Sequence, residues 1–98
     1  MTNLTVLSKH VPRSEIRDAL DVAADVLGVD VCWFYRGGFH FRLYGDWTVS
    51  ITPETAGRLR IETWSLLRLR DTRWCGAGDE TRLAQLVKEA SLGAPQLA

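Results

Sequence analysis

Cysteine is scarce in this sequence, and the spacings that mark redox or metal sites are missing. Cys32 and Cys75 are the only two cysteines in the 98 residues. They form no CxxC pair, and no histidine stands at the spacing that a zinc site needs. Isolated cysteines in a reducing compartment normally remain free thiols. We therefore expect two unpaired thiols, no metal site and no cofactor.

Long apolar segments are also lacking. The longest uncharged apolar runs are short, such as Val31–Tyr35 and Trp64–Leu67, whereas a membrane-spanning helix needs about 20 apolar residues. The first eleven residues show no basic patch followed by an apolar stretch, so they do not predict a signal peptide. We expect a cytoplasmic protein forming a single domain over 1–98, with loose termini at about 1–8 and 94–98.

The sequence carries no net charge at pH 7. A neutral molecule has no overall field that would draw it onto nucleic acid or a membrane. Its charges are segregated, however, because residues 13–30 carry two arginines against five carboxylates and residues 58–73 carry five arginines against two. The chain is therefore expected to have an acidic first helix and a basic segment late in its sheet.

A helix is predicted near each end of the chain. The first begins at Pro12, a residue suited to the first helical position, and ends at Gly28, which can adopt the left-handed conformation. The second begins near Asp79, a good N-cap, and ends at Gly93. Apolar residues recur in each at spacings of three and four, which predicts one buried stripe per helix. They are Ile16, Ala19, Leu20, Ala23, Val26 and Leu27 in the first helix, and Leu83, Leu86, Val87 and Ala90 in the second.

Between the helices, the sequence predicts a β-hairpin. Val31–Arg36 and Phe39–Tyr44 are rich in aromatic and β-branched residues, and Gly37-Gly38 joins them. Two glycines suit a type I′ turn, whose central residues both need positive φ, and this turn would pair Arg36 with Phe39. One face of the hairpin would then carry Cys32, Phe34, Phe39, Phe41 and Leu43, and the other would carry Val31, Trp33, Tyr35, His40, Arg42 and Tyr44.

Two further strands follow. Trp47–Thr52 alternates cleanly, and burying one continuous apolar face favours a three-residue loop before it over a two-residue Gly45-Asp46 turn. This choice places Trp47, Val49 and Ile51 beside Phe39, Phe41 and Leu43. Arg58–Trp64 is predicted as the fourth strand, with Leu59 and Ile61 facing inward. Residues 66–79 are ambiguous, because the alternation of Leu67 and Leu69 with arginines could extend that strand.

The predicted fold class is α+β. A three- to four-stranded antiparallel meander sheet has one helix before it and one after it (α-β-β-β-β-α), and both helices pack mainly on one face. Leu4–Leu7 could add a short edge strand.

The outward face of this sheet is the candidate partner-binding surface. It gathers aromatic and cationic residues that the core does not need: Trp33, Tyr35, His40, Arg42, Arg58, Arg60 and Trp64. Soluble monomers seldom expose several aromatic residues together. Three explanations remain open: another part of the chain covers the face, a protein partner or a second copy binds it, or single-stranded nucleic acid stacks on it.

No catalytic motif accompanies these residues. A separate hypothesis is a small enzyme in which His40 acts as the general base, but a flat sheet supplies no pocket for a substrate. Ten arginines against two lysines indicate a high-GC genome, since arginine codons are mostly GC-rich. We expect a non-enzymatic interaction protein that binds another protein or forms a homodimer. A phage or mobile-element product acting on a host protein would fit this description. The alternative is a module that binds single-stranded or structured nucleic acid through the same face.

Overall fold

A computed structural model describes residues 5–6 and 14–94, with the backbone alone at 5, 6, 14 and 15. It confirms the α+β class and the order of helix, antiparallel sheet and helix. The elements are β1 (Thr5–Val6), α1 (Ser14–Leu27), β2 (Val31–Tyr35), β3 (Gly38–Tyr44), β4 (Trp47–Pro53), β5 (Arg58–Ser65), β6 (Arg68–Gly76) and α2 (Glu80–Gly93). A short 3₁₀ turn, Thr55–Gly57, precedes β5.

The described sheet has more strands than the sequence predicted. Its strand order follows the chain, β1-β2-β3-β4-β5-β6. The five strands from β2 to β6 form an antiparallel meander. The short strand β1 lies within Leu4–Leu7, the segment that could add an edge strand, and it pairs in parallel with β2.

The core lies between one face of the sheet and the two helices. Phe41, Val49, Ile51 and Ile61 come from the sheet and are almost completely buried. They form one cluster with the predicted stripes of both helices, including Leu20, Ala23, Leu83 and Val87. Each large aliphatic or aromatic side chain buried this way stabilises the fold by about 1.5–3 kcal/mol. Both helices therefore pack on the same face, and within residues 5–6 and 14–94 no helix covers the other face.

The helix ends follow the predicted chemistry where they are described. Gly28 has φ +70°, and the Val29 amide donates to the Ala24 carbonyl at 3.1 Å, which closes the end of α1 as in a Schellman motif. The Asp79 side chain accepts from the Arg82 amide at 3.0 Å and caps α2. Pro12, the predicted start of the first helix, lies outside the described residues, as do most of the termini predicted to be loose.

The predicted pairing of the first hairpin is wrong by two residues. Arg36 and Gly37 form the turn, with φ 51° and 84°, and Tyr35 pairs with Gly38. Gly38 is needed inside the strand because a Cβ there would come within 2.5 Å of Thr52 Oγ1. A shift of two residues preserves the alternation, so the division of the hairpin into two faces is unchanged.

Phe34 was predicted to face the core, but it does not belong to the core cluster. It pairs with Phe39 at the turn end of the hairpin, rather than with Phe41 at its centre, and it is 41% exposed. Its ring lies edge-on to the Phe39 ring, with a centroid separation of 5.1 Å. The shifted register therefore accounts for its exposure.

The third-strand prediction is correct in its faces and wrong in its loop. Ile51 pairs with Phe39 and Val49 pairs with Phe41, as predicted. The loop itself is the two-residue Gly45-Asp46 turn, and a β-bulge between Arg42 and Tyr44 supplies the extra residue. Because of the bulge, the two-residue turn and the continuous buried apolar face occur together, whereas the sequence analysis treated them as alternatives.

Residues 66–79 do not extend β5 but form a turn, strand β6 and the connection that ends at Asp79, the N-cap of α2. The chain reverses at Leu66-Leu67, and β6 then pairs antiparallel with β5 as far as Gly76. Both leucines have positive φ, 53° and 63°. Such a turn is unusual for bulky side chains, which is why their apolar character suggested a continuing strand.

Candidate binding site on the open sheet face

The sheet face opposite the helices, called the open face here, places its side chains in rows across the strands. Alternate residues point to the same face, and the register aligns them. The central row runs Trp33, His40, Ser50, Glu62, Thr72. Rows on either side contain Thr52, Arg60 and Trp74, and Arg42, Thr48, Trp64 and Leu69.

A groove lies in the middle of the open face, so the expectation of a flat sheet without a pocket is wrong. The outward residues of β4 are small (Thr48, Ser50 and Thr52), whereas larger side chains stand on the neighbouring strands. The result is a cavity of about 440 Å³. Its lining residues are Trp33, Tyr35, Arg36, Gly38, His40, Asp46, Thr48, Thr52, Glu62, Trp64 and Leu67.

Aromatic rings surround His40 inside this groove. Trp33 stacks on the imidazole with a centroid separation of 5.7 Å and an interplanar angle of 19°. Tyr35 meets it edge-on at 5.8 Å, and Trp64 is tilted against it at 6.1 Å. His40 is only 7% exposed. The three larger rings therefore form the walls of the groove around a buried imidazole.

Hydrogen bonds hold two of these rings, Trp64 and His40, in place. Trp64 Nε1 donates to Ser50 Oγ at 3.0 Å, which draws the indole over the small residues of β4. His40 Nε2 lies 3.1 Å from the Tyr35 carbonyl oxygen. Since a carbonyl only accepts, Nε2 carries the proton and Nδ1 is left as an acceptor in the neutral ring. The groove is thus pre-formed rather than assembled from unrestrained side chains.

Burial keeps the imidazole neutral at pH 7. It lowers the pKa of His40 from its ordinary value of 6.5, although the Tyr35 carbonyl and the Glu62 carboxylate each act to raise it. The thiol of Cys32 is buried on the helix side of the sheet, and burial raises its pKa to about 11. His40 and Cys32 therefore lie on opposite faces and cannot form a nucleophile–base pair.

One end of the open face is an ion-pair network around Glu54. Its Oε1 accepts from Arg60 Nη1 at 3.1 Å and from Trp74 Nε1 at 2.9 Å. The bond from Trp74 contributes most to lowering the pKa of Glu54. Arg60 Nε also lies 3.1 Å from Glu62 Oε1, and Arg58 Nη2 lies 3.5 Å from Glu54 Oε2. Arg58 and Arg60 are therefore engaged by carboxylates of the chain itself.

No protein-family model, curated protein or solved structure matches this chain. The function is accordingly argued from the groove and its surroundings.

The structure brings together four of the seven residues predicted for this surface. Trp33, Tyr35, His40 and Trp64 all line the groove. The arginines do not: Arg58 and Arg60 belong to the Glu54 network, and Arg42 donates to the Gly45 carbonyl at 3.3 Å. The predicted aromatic residues and His40 thus form one local site, whereas the three predicted arginines lie outside it.

Sequence reasoning missed the small residues of the groove, its lining residue Leu67 and the Glu54 network at one end of the open face. The alternation of β4 already placed Thr48, Ser50 and Thr52 outward, so a search for small residues between large ones would have found the depression. Glu54 had no such signal, because it follows β4 in an irregular connection and reaches Trp74 twenty residues later. Leu67 was hidden by the unrecognised turn.

Two other classes of site, a metal-binding cluster and a membrane-spanning helix, are absent from the described residues. No group of three or more histidine, cysteine or acidic residues there could hold a metal ion. Of the two helices, neither is long and apolar enough to cross a membrane.

Proposed function

We propose that this chain is a non-enzymatic interaction module that binds a protein partner, or a second copy of itself, through the open face. One observation carries the proposal. Both helices pack on the same side of the sheet, so the aromatic residues of the opposite side have no layer over them in the described part of the chain. Tyr35 and Trp74 are 41% and 48% exposed there.

The composition of this face supports a protein partner. Tryptophan, tyrosine and arginine are the residues enriched in interface hot spots, and the most effective anchors fit into pre-formed depressions. Here Trp33, Tyr35 and Trp64 surround a depression whose walls are already held by stacking and hydrogen bonds. Binding would therefore cost little conformational entropy.

The same geometry gives less support to nucleic acid. Phosphate binding needs cations that are available to the ligand. Arg60 is shared by Glu54 and Glu62, and Arg58 is also paired with Glu54. The groove itself contains Glu62 and Asp46. A nucleic-acid complex would have to break these pairs, and its affinity would fall steeply with added salt.

The proposal is tested by affinity capture from a high-GC bacterial lysate, comparing Trp33→Ala with the unchanged chain. Truncating a central anchor is expected to weaken capture of the partner by at least about tenfold. Leu92→Ala is the matched control, because Leu92 is an exposed apolar residue on α2, across the molecule from the open face. Light scattering on the same samples tests whether the partner is a second copy.

Two results would contradict the proposal. Equal capture by Trp33→Ala and the unchanged chain would remove the open face from consideration, and so would a partner lost only in Leu92→Ala. Retention of nucleic acid with a steep salt dependence would favour the alternative module instead. The phage or mobile-element origin stays a prediction from composition.

A further inference from the structure

We infer that the groove receives a positively charged side chain, lysine or arginine, from the partner. The inference rests on the proposed function and goes further, because it specifies the chemistry of the group that enters the open face.

The aromatic walls suit a cation. A cation within about 6 Å of an aromatic centroid is attracted by the ring face, and clusters of such rings are a common way to bind ammonium groups. Trp33, Tyr35 and Trp64 all lie within 6.1 Å, centroid to centroid, of the same imidazole. The chain already uses one of these rings for this purpose, since the Arg36 guanidinium lies 5.4 Å from the centroid of Tyr35.

The charge of the groove points the same way. Glu62 is 7% exposed and lies in the cavity lining. Arg60, which pairs with Glu62, also pairs with Glu54, so one guanidinium contacts two carboxylates. The second arginine, Arg58, is more exposed than Arg60 and lies 3.5 Å from Glu54. Glu62 is therefore a carboxylate inside the lining of the groove, whereas Arg60, the cation paired with it, lies outside that lining. Desolvation strengthens the attraction of the Glu62 carboxylate for a cation.

The other lining groups are compatible with this ligand. Asp46 adds a second carboxylate, and Arg36 is the one cation among the described lining residues. The hydroxyls of Thr48 and Thr52 are additional acceptors for an ammonium group, which has three donors. His40 is neutral at pH 7 because burial lowers its pKa, so it does not repel a cation.

The test uses small probes that carry the proposed group. N-acetyl-lysine amide and N-acetyl-arginine amide are titrated against the full chain, with N-acetyl-norleucine amide as the uncharged probe of similar length. The indole N–H signals of Trp33 and Trp64 are followed by NMR and assigned with Trp33→Leu and Trp64→Phe. We expect saturable millimolar shifts with one or both cationic probes and at least about tenfold weaker binding of the norleucine probe.

Matched charge variants separate a binding role for Glu62 from a general effect of charge. Glu62→Gln and Glu89→Gln each remove a carboxylate that is paired with an arginine, but Glu89 is on α2 and pairs with Arg73. We expect Glu62→Gln to weaken the cationic probe about tenfold and Glu89→Gln to leave it unchanged. Asp46→Asn provides a second, turn-located variant if Glu62→Gln does not fold, and we expect it to weaken the probe about threefold.

Each outcome decides the inference. Equal binding of charged and uncharged probes, no shift at either indole up to the solubility limit, or unchanged binding in the Glu62 and Asp46 variants would overturn it. The proposed function fails separately, through equal partner capture by Trp33→Ala and the unchanged chain. A chain that needs Trp33 for its partner but ignores cationic probes would keep the function and lose this inference.

Discussion

His40 is a residue whose neighbours determine its chemistry. It is surrounded by Trp33, Tyr35 and Trp64, and its Nε2 is committed to the Tyr35 carbonyl. The charge of the Glu62 carboxylate acts to raise the pKa of His40. Desolvation outweighs that carboxylate, so the folded protein binds a proton at His40 less readily than the unfolded chain does.

Stability should therefore fall as His40 is forced to take up a proton. Because its pKa is lower in the folded state than its ordinary value of 6.5, the unfolded chain gains its proton first as the pH falls. The free energy of unfolding is expected to decrease below about pH 6.5, down to the folded pKa. Urea denaturation of the unchanged chain and of His40→Asn, between about pH 5 and pH 7.5, measures this slope. Parallel pH profiles for the two proteins would show that His40 is not responsible.

Gly38 is a residue selected by a close approach rather than by a turn. An alanine Cβ would meet Thr52 Oγ1 at 2.5 Å, and Thr52 is a buried, β-branched neighbour with little freedom to move. We expect Gly38→Ala to destabilise the fold by about 1–2 kcal/mol, after allowing for the gain in backbone entropy.

A second substitution provides the control for Gly38. Thr52→Ala removes the obstructing hydroxyl, so Gly38→Ala should cost much less in that background. Denaturation of the two single variants and the double variant measures this coupling. An additive double variant would mean that the cost of Gly38→Ala arises elsewhere.

At the scale of elements, the two-residue turns show where local preference and structure disagree. The turn after β2 consists of Arg36 and Gly37, and the turn after β5 consists of Leu66 and Leu67. All four residues have positive φ, although three of them are not glycine. Leu66 and Leu67 are 67% and 79% exposed, so burial does not repay their backbone strain. The strain is tolerated because β5 and β6 are held together along their whole length.

Replacing this turn should stabilise the protein. Leu66→Asn with Leu67→Gly supplies residues that adopt positive φ readily, and we expect a gain of about 1–2 kcal/mol in the free energy of unfolding. Chemical denaturation measures it, with Leu92→Asn as a control for removing an exposed leucine from α2. An unchanged or lower stability would show that the leucine side chains contribute more to the hairpin than their exposure indicates.

At the scale of the whole molecule, the fold separates charged side chains that stand close together in the sequence. Residues 58–73 read as one basic segment, but the fold divides their arginines between the two faces. Arg60 joins Glu54 and Glu62 on the open face, whereas Arg73 pairs with Asp71 and Glu89 toward α2. Arg68 and Arg70 remain exposed near the tip of the last hairpin. The predicted basic surface is therefore smaller than the residue count suggested.

The sequence alone determined the helix stripes, the strands up to β5 and the membership of each sheet face. These depend on local periodicity, and a pairing error of two residues leaves the alternation unchanged. That is why Trp33, Tyr35, His40 and Trp64 were assigned to one surface despite the wrong turn.

Tertiary structure alone decided the register of the first hairpin, the bulge before Tyr44, the reversal at Leu66-Leu67 and the Glu54 network. These features arise from contacts between residues that are distant in the chain, as when Thr52 occupies the space beside Gly38, or Glu54 binds Arg60 and Trp74 together. Periodicity assigns a side chain to a face, but its partners depend on which strands come together in the folded sheet. The aromatic residues were therefore predictable as a set, whereas the contacts of Glu54 with Arg60 and Trp74 were not.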